Sequence, residues 1–395
     1  MTTDNHSLAP TALLIDHFEP LTLTHMQQII DLSGQTKKLH VLITTHPKPN
    51  PNFNITLADK ARWLQMACAD LPFIHIHTST SVLTADSCDK VDDKNGIDDI
   101  VADFLSMTAD TVADTDNACE QDLTQMAVYV IAETLIDTDT DVKHDAQHGS
   151  VIPQVDTQDQ VTIQDQVTIK VTPAGLAVHH LPNKTKAGHQ PSHQETHANP
   201  AHHWHAIHPK ARGSYTKTVA IVGGESSGKT TLLHKLVNHY GASHALEMGR
   251  LFVQTDLGGS EVGMQYDDYP RIATDHEQAI REAVNQANAP VTFVDTDFVT
   301  TQAFCEEYEG RTHPFLTACI ETFRLDHTIM LDNNTPWVAD GMRSLGSDDA
   351  RNRFKRRLND IFARHGIEPH CIDDKTYHQR YLAAVRFVDK VVFGR

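Results

Sequence analysis

Gly223-Gly224-Glu225-Ser226-Ser227-Gly228-Lys229-Thr230, followed by Thr231, fits the spacing G-x-x-x-x-G-K-[ST]. Glycines free the backbone to turn tightly, so successive N–H groups can converge on an anionic oxygen. Lys229 is placed to reach β- and γ-phosphates, and the Thr230 hydroxyl to ligate Mg²⁺. ATP and Mg²⁺ are therefore the expected cofactors, with Gly223 to Thr231 as the nucleotide cradle. Further on, Val294-Asp295-Thr296-Asp297 ends an apolar run with two carboxylates. Asp295 is expected to hold the metal and Asp297 to serve catalysis; the competing reading is a strand-end aspartate capping the next helix. Glu247 could accept a proton from an attacking hydroxyl, while an ordinary surface pair with Arg250 explains the same residues equally well. Arg343, in the segment 333–343 with Trp337, is expected to swing over the transferring phosphate and stabilise its charge. Tyr266, Asp267 and Tyr269 combine rings with a carboxylate, a mixture suited to a flat cationic substrate, with Arg250 and Trp337 beside it.

These side chains need a frame. Thr218–Val222 reads as a strand entering the glycine loop. Leu232, Leu233, Leu236, Val237 and Tyr240 give an amphipathic helix leaving it, stopped at Gly241. Strands over Val291–Val294, Thr328–Leu331 and His370–Ile372 follow. Helices over Asp275–Ala289, Thr300–Tyr308, Pro314–Phe323 and Arg351–His365 separate them, the last with a basic face read mainly as solvated. The predicted fold class is α/β, a parallel sheet in a P-loop kinase domain spanning 212–395.

A second α/β domain, of Rossmann type with a parallel sheet, is predicted over 9–211. Strands at Thr11–Ile15, Leu39–Ile43 and Phe73–His77 alternate with helices at His25–Leu32 and Ala58–Ala69. From about 84 to 200 the composition turns acidic and repetitive. Asp137-Thr138-Asp139-Thr140-Asp141 is one patch, and residues 158–163 repeat as 164–169. Met126–Ile131 and Gly175–Val178 still read as strands there, so the zone is expected to be a domain remnant interrupted by flexible, low-complexity insertions. The histidines from His179 to His208 are read as a solvated linker, with metal binding as the alternative.

The bulk numbers exclude whole classes. A net charge of −19 over 395 residues argues against a general nucleic-acid binder. No apolar run reaches membrane-spanning length, and the polar start lacks a signal-peptide pattern. Six scattered cysteines with no C-x-x-C pair suit reduced thiols in the cytoplasm. Homo-oligomerisation is left open.

Over about Thr216 to Tyr381 the chain resembles the NadR family, which joins a nicotinamide-nucleotide adenylyltransferase to a ribosylnicotinamide kinase. The resembling text is GGESSGKTTL, EMGR, LGG with MQYDDYP, FVDTDFVTTQAFC with YEGRTHPF, and NNTPWVADGMRSLGS. His203-Trp204-His205-Ala206-Ile207-His208-Pro209 resembles the junction between the two catalytic domains. The resemblance implies phosphorylation of the 5′-hydroxyl of nicotinamide riboside by ATP, in NAD biosynthesis or salvage. Leu246 stands where the family leads one to expect a stacking aromatic residue.

The first domain resembles the family's adenylyltransferase in degenerate form, which implies a nucleotidyltransferase-like fold. In Asp16-His17-Phe18-Glu19-Pro20-Leu21-Thr22-Leu23-Thr24-His25, Phe18, Pro20 and His25 match the motif. Thr22 and Thr24 replace a histidine and a glycine, and Asp16 replaces the glycine that opens the motif. His197 replaces a phosphate-binding arginine, with Ser192 retained. Adenylyl transfer is therefore expected to be lost or weak. The repressor domain of some relatives is not expected, the first strand lying so near residue 1. The leading expectation is a ribosylnicotinamide kinase. The alternatives are a bifunctional enzyme relying on His25, and a non-catalytic sensor of ATP and nicotinamide nucleotides.

Overall fold

The computed structural model describes residues 9–82, 97–112, 126–131, 167–171, 177–181, 191–259, 263–334 and 347–395. They divide into two compact units, each built on its own sheet. Pro200–Trp204 belong to the second unit and His205–Ala211 to the first. The Asp137–Asp141 patch and the first copy of the hexapeptide lie outside the described residues.

The first unit runs β1 (Ala9–Asp16), α1 (Leu23–Ser33), β2 (Thr36–Thr45), α2 (Leu57–Ala67), β3 (Ile74–Val82), α3 (Ile97–Val112), β4 (Ala127–Ile131), β5 (Val167–Val171), β6 (Ala177–Leu181) and α4 (His193–Ala198). Its strand order is β3-β2-β1-β4-β6-β5, parallel except for β5, which runs antiparallel to β6. Ala12 to Ile15 are fully buried, as an uninterrupted apolar run in a sheet covered on both faces must be.

Within 84–200, the strands expected at Met126–Ile131 and Gly175–Val178 are present as β4 and β6, while α3 and β5 are additions to the expected remnant. Helix α3 sets Ile97, Ile100, Val101 and Phe104 against Leu13, Ile15, Leu42, Val128 and Val130. Strands β4, β5 and β6 extend the same sheet. Burial of that stripe stabilises α3 despite its acidic neighbours.

The second unit runs β7 (Lys217–Gly223), α5 (Lys229–Tyr240), β8 (Ser243–Ala245), α6 (Met248–Thr255), α7 (Tyr269–Asn285), β9 (Val291–Asp295), α8 (Phe298–Glu309), α9 (Pro314–Thr322), β10 (His327–Leu331), α10 (Asp348–Arg364), β11 (His370–Ile372) and α11 (Tyr377–Phe393). The order is β11-β10-β7-β9-β8, all parallel. Val219, Ile221 and Phe293 face Leu233, Leu236, Ala384 and Val388 on one side. Ala220, Val222, Val294 and Met330 face Phe298, Leu316, Phe354 and Ile361 on the other. Helix α7 begins at Tyr269, six residues before the expected start, because Pro270 fits the first turn and Tyr269 is buried.

The basic face of α10 is more engaged than a solvated face. Arg353 and Arg357 pair with Glu307, Arg357 and Arg364 with Glu306, and Lys355 with Asp332. Chain connections leave central β7 toward both sheet edges, which opens a crevice at the carboxyl ends of the strands. Among the described residues no helix is long and apolar enough to cross a membrane.

Candidate active site

Strand β7 delivers the chain into the glycine loop at that crevice. Gly223 and Gly228 have φ of +146° and +89°, values that side chains resist. A Cβ on Gly228 would also lie 2.6 Å from the Tyr377 ring. Helix α5 starts directly at Lys229, so its unpaired N–H groups and positive end face the loop.

Lys229 is buried and folds back over the loop, donating to the carbonyls of Gly223 at 3.1 Å and Gly224 at 3.2 Å. The Thr230 hydroxyl donates to Asp295 Oδ2 at 2.8 Å. Asp295 ends β9 at 2% exposure, and its Oδ1 has no hydrogen-bond partner. Burial raises the Asp295 pKa, and the Glu247 carboxylate adds to that, while Lys229 and the Thr230 hydroxyl oppose it. A buried carboxylate oxygen without a partner, beside a hydroxyl oxygen, fits a hard divalent cation such as Mg²⁺.

Asp297 is turned elsewhere. It caps α8, with Oδ1 accepting from the N–H and hydroxyl of Thr300, each at 2.8 Å. Burial raises its pKa to about 6. Thr296, between the two aspartates, has φ of +68°, a strained value for a β-branched residue.

A cleft open to solvent adjoins the loop. Glu225, Lys229, Glu247, Arg250 and Tyr269 line it. Glu247 immediately precedes α6, with Arg250 3.8 Å away. Tyr266 and Asp267 are not among the lining residues. Tyr266 instead donates to the Thr312 carbonyl at 2.9 Å and stacks under the Arg311 guanidinium at 3.6 Å. Asp267 is exposed. Trp337 and Arg343 lie outside the described residues.

Sequence reasoning passed over Arg380 and His276. Arg380 is 1% exposed and donates to the carbonyls of Ser227 at 2.7 Å, Asp374 at 2.7 Å and Asp332 at 2.9 Å, and to Asn334 Oδ1. His276 lines the cleft from α7. Neither stands in a spacing that distinguishes it from an ordinary core position.

In the first unit, the segment after β1 forms a buried polar cluster. His25 Nδ1 accepts from the Thr22 N–H at 3.0 Å, so Nε2 carries the proton and meets Asp16 Oδ2 at 2.8 Å. Burial works to raise the Asp16 pKa, but His25, His17 and His193 hold it well below the usual carboxylate range. Lys60 Nζ lies 2.5 Å from Glu19.

The linker reading of the histidines also needs correction. His193 and His197 sit four apart on α4, one helical turn, where they pack on His25 at 3.7 Å and His46 at 4.0 Å. Among the described residues no group of three or more His, Cys, Asp or Glu side chains is arranged to hold a metal.

A family profile described as an AAA domain matches residues 218–380. "Trifunctional NAD biosynthesis/regulator protein NadR" of Escherichia coli (strain K12) is 47% identical over 194 residues, 49% of this chain and 47% of that protein. The protein of the same name from Salmonella typhimurium is also 47% identical over 194 residues, with the same coverage. The chain thus spans about half the length of these curated relatives. A crystal structure of NadR protein in complex with NR superposes with a TM-score of 0.67 at 18% identity, covering 98% of this chain and 96% of that one. A second, in complex with NAD and AMP-PNP, gives 0.65 at 18% identity, covering 98% and 97%. These two structures share the fold. Over the matched half of the chain, the sequence relatives support a NadR family assignment.

Proposed function

We propose that the second unit transfers the γ-phosphoryl group of ATP to the 5′-hydroxyl of nicotinamide riboside, giving nicotinamide mononucleotide and ADP. The observation that carries this reading is that Lys229 and Glu247 line one cleft and both act electrostatically on Asp295, whose carboxylate accepts from the Thr230 hydroxyl. The names of the relatives point to NAD biosynthesis, and a structure of the same fold was solved with NR.

In this reading the loop amides and Lys229 hold the β- and γ-phosphates, Lys229 exchanging its two loop carbonyls for phosphate oxygens. Thr230 and Asp295 hold Mg²⁺, which when bound offsets the charge on the phosphates. Glu247 accepts the hydroxyl proton as the new O–P bond forms. The bond from phosphorus to the β,γ-bridging oxygen breaks, and ADP leaves. The carboxylates of Glu225 and Glu247, set among Lys229 and Arg250, are the cleft groups able to face a cationic pyridinium. Arg250 and Tyr269 hold the substrate, Asp297 contributes through the start of α8, and Arg343 is retained as the charge-stabilising residue.

The test is the purified chain with ATP, Mg²⁺ and nicotinamide riboside, followed by chromatography for mononucleotide and dinucleotide. Mononucleotide should form. The Lys229→Ala variant should lose on the order of 3 kcal/mol of transition-state stabilisation, at least a hundredfold in rate. No product from the wild-type chain, or near-normal turnover by the variant, overturns the reading.

A further inference from the structure

The strand order β11-β10-β7-β9-β8 puts the glycine loop, at the end of central β7, between two sheet edges. Glu247 follows β8 at one edge and lines the cleft. Tyr377 opens α11 after β11 at the other edge. Its ring lies against the loop: a Cβ on Gly228 would come within 2.6 Å of its Cε1 and 3.2 Å of its Cδ1. Tyr377 is nonetheless 44% exposed, and it is not among the residues that line the cleft. Two contacts fix the backbone that carries it. Thr376 caps α11, its side chain accepting from the Gln379 N–H. Arg380, three residues after Tyr377, donates to the Ser227 carbonyl at 2.7 Å, which ties the first turn of α11 to the loop. A lone exposed aromatic residue on a surface needs no ligand, but this one is clamped onto a phosphate loop and stays open to solvent.

Phosphoryl transfer fixes which way ATP lies. The γ-phosphorus must face the acceptor in the cleft, on the β8 side of the loop. The triphosphate follows the loop, and its nucleoside end leaves on the side away from the cleft, toward β10 and β11. A purine has flat π-faces, and the loop amides and Lys229 provide only for phosphates. We propose that the Tyr377 ring stacks on the purine of the phosphoryl donor and thereby sets donor affinity. The acceptor's pyridinium is not the partner, because the cleft that takes the acceptor lies toward the opposite edge of the sheet. Stacking uses the π-face and not the hydroxyl, so phenylalanine serves as well, and every purine triphosphate feels the ring. The inference rests on the kinase reading above, through its assignment of the loop as the ATP site.

The experiment compares the wild-type chain with Tyr377→Phe and Tyr377→Leu. It measures the dissociation constants of ATP and GTP by calorimetry, KM for nicotinamide riboside, and competition by inorganic tripolyphosphate. Leucine keeps an apolar side chain against Gly228 and removes the π-face. Tyr377→Leu should weaken ATP and GTP about fivefold or more and change the acceptor KM by less than about twofold. Tyr377→Phe should stay within about twofold of wild type. Tripolyphosphate carries the charges without a base, so its affinity should be the same in all three chains. Unchanged ATP affinity in Tyr377→Leu overturns the inference. So does a parallel loss of ATP and tripolyphosphate affinity, which makes Tyr377 a support of the loop and not a base contact. A wild-type chain that binds ATP but phosphorylates no nicotinamide riboside overturns the kinase reading alone, since calorimetry still reads the stacking. A wild-type chain that binds no ATP overturns both.

Discussion

The hydroxyl of Thr230 donates a 2.8 Å hydrogen bond to Asp295 Oδ2, which joins the first turn of α5 to the end of β9. This contact sets the separation of the two oxygen groups that would share Mg²⁺. Asp295→Asn keeps the shape and removes the charge. It should cut turnover at least a hundredfold, with partial rescue at high Mg²⁺. Thr230→Val removes only the hydroxyl and should raise the Mg²⁺ concentration for half-maximal rate about tenfold. Rates of both variants that match wild type at limiting Mg²⁺ place the metal elsewhere.

Arg380 predicts a different pattern. Its guanidinium takes the Ser227 carbonyl at 2.7 Å, and peptide planarity then turns the Gly228 N–H to the opposite side. The same side chain holds Asp332, Asn334 and Asp374, so three loops share one anchor. Lysine keeps the charge but lacks the planar fork. Arg380→Lys should raise the ATP KM about tenfold while the acceptor KM moves little. Arg380→Ala should cost about 3 kcal/mol of stability, because several carbonyls lose their donor in a buried place. An unchanged ATP KM in the lysine variant, measured by initial rates, removes Arg380 from loop positioning.

What the sequence showed of this site, and what it hid, follows the range of each interaction. The glycine loop is local: strand, turn and helix start lie close together in the chain, and their residue types suffice. The β-α-β alternation is local as well. Helix α3 was legible in principle, since Ile97, Ile100, Val101, Phe104 and Leu105 keep a helical spacing, but the acidic composition around it masked the stripe. His193 and His197 are also spaced one turn apart. Their role depends on His25 and His46, which lie far away in the chain. Arg380 and His276 have no local signature, because the loops and cleft that define them are brought together only by the sheet.

Acid should unfold the first unit early. Burial pushes His40, His46 and His193 each down to about 3. His40 also faces His77, Lys38 and His75. His46 faces His197, His17 and Lys60, opposed by Glu19. An unfolded histidine titrates near 6.5, so between there and about pH 3 the unfolded chain binds more protons than the fold. Stability is then lost as pH falls, by up to about 1.4 kcal/mol per histidine for each pH step of one below 6. Glu19, held down to about 2 against its burial by His197 and Lys60, works in the same direction at lower pH, below about 4.5. Far-UV circular dichroism of the whole chain should show a loss of structure between about pH 6 and 4. His40→Gln should flatten the dependence of stability on pH in that range. An unchanged slope removes His40 from the account.

The first unit should make little or no NAD⁺ from nicotinamide mononucleotide and ATP. Adenylyl transfer needs donors aimed at phosphate oxygens as pyrophosphate leaves. His25 has the right residue type, but its Nε2–H is spent on Asp16 at 2.8 Å and its Nδ1 on the Thr22 backbone. An incoming phosphate would have to displace a buried carboxylate and then sit beside its charge. Thr22 serves as the cap of α1 rather than as a second imidazole. His197, where an arginine is expected, stacks on His46 and lies 3.6 Å from Glu19, so it too faces a carboxylate. Each loss is worth roughly 2–3 kcal/mol, together several orders of magnitude in rate. Asp16→Gly frees the His25 Nε2–H and should restore measurable binding of a nucleotide to the first unit, read by calorimetry in the Lys229→Ala background to silence the kinase. Robust dinucleotide synthesis by the unmodified chain would falsify the loss of this activity and restore the bifunctional reading.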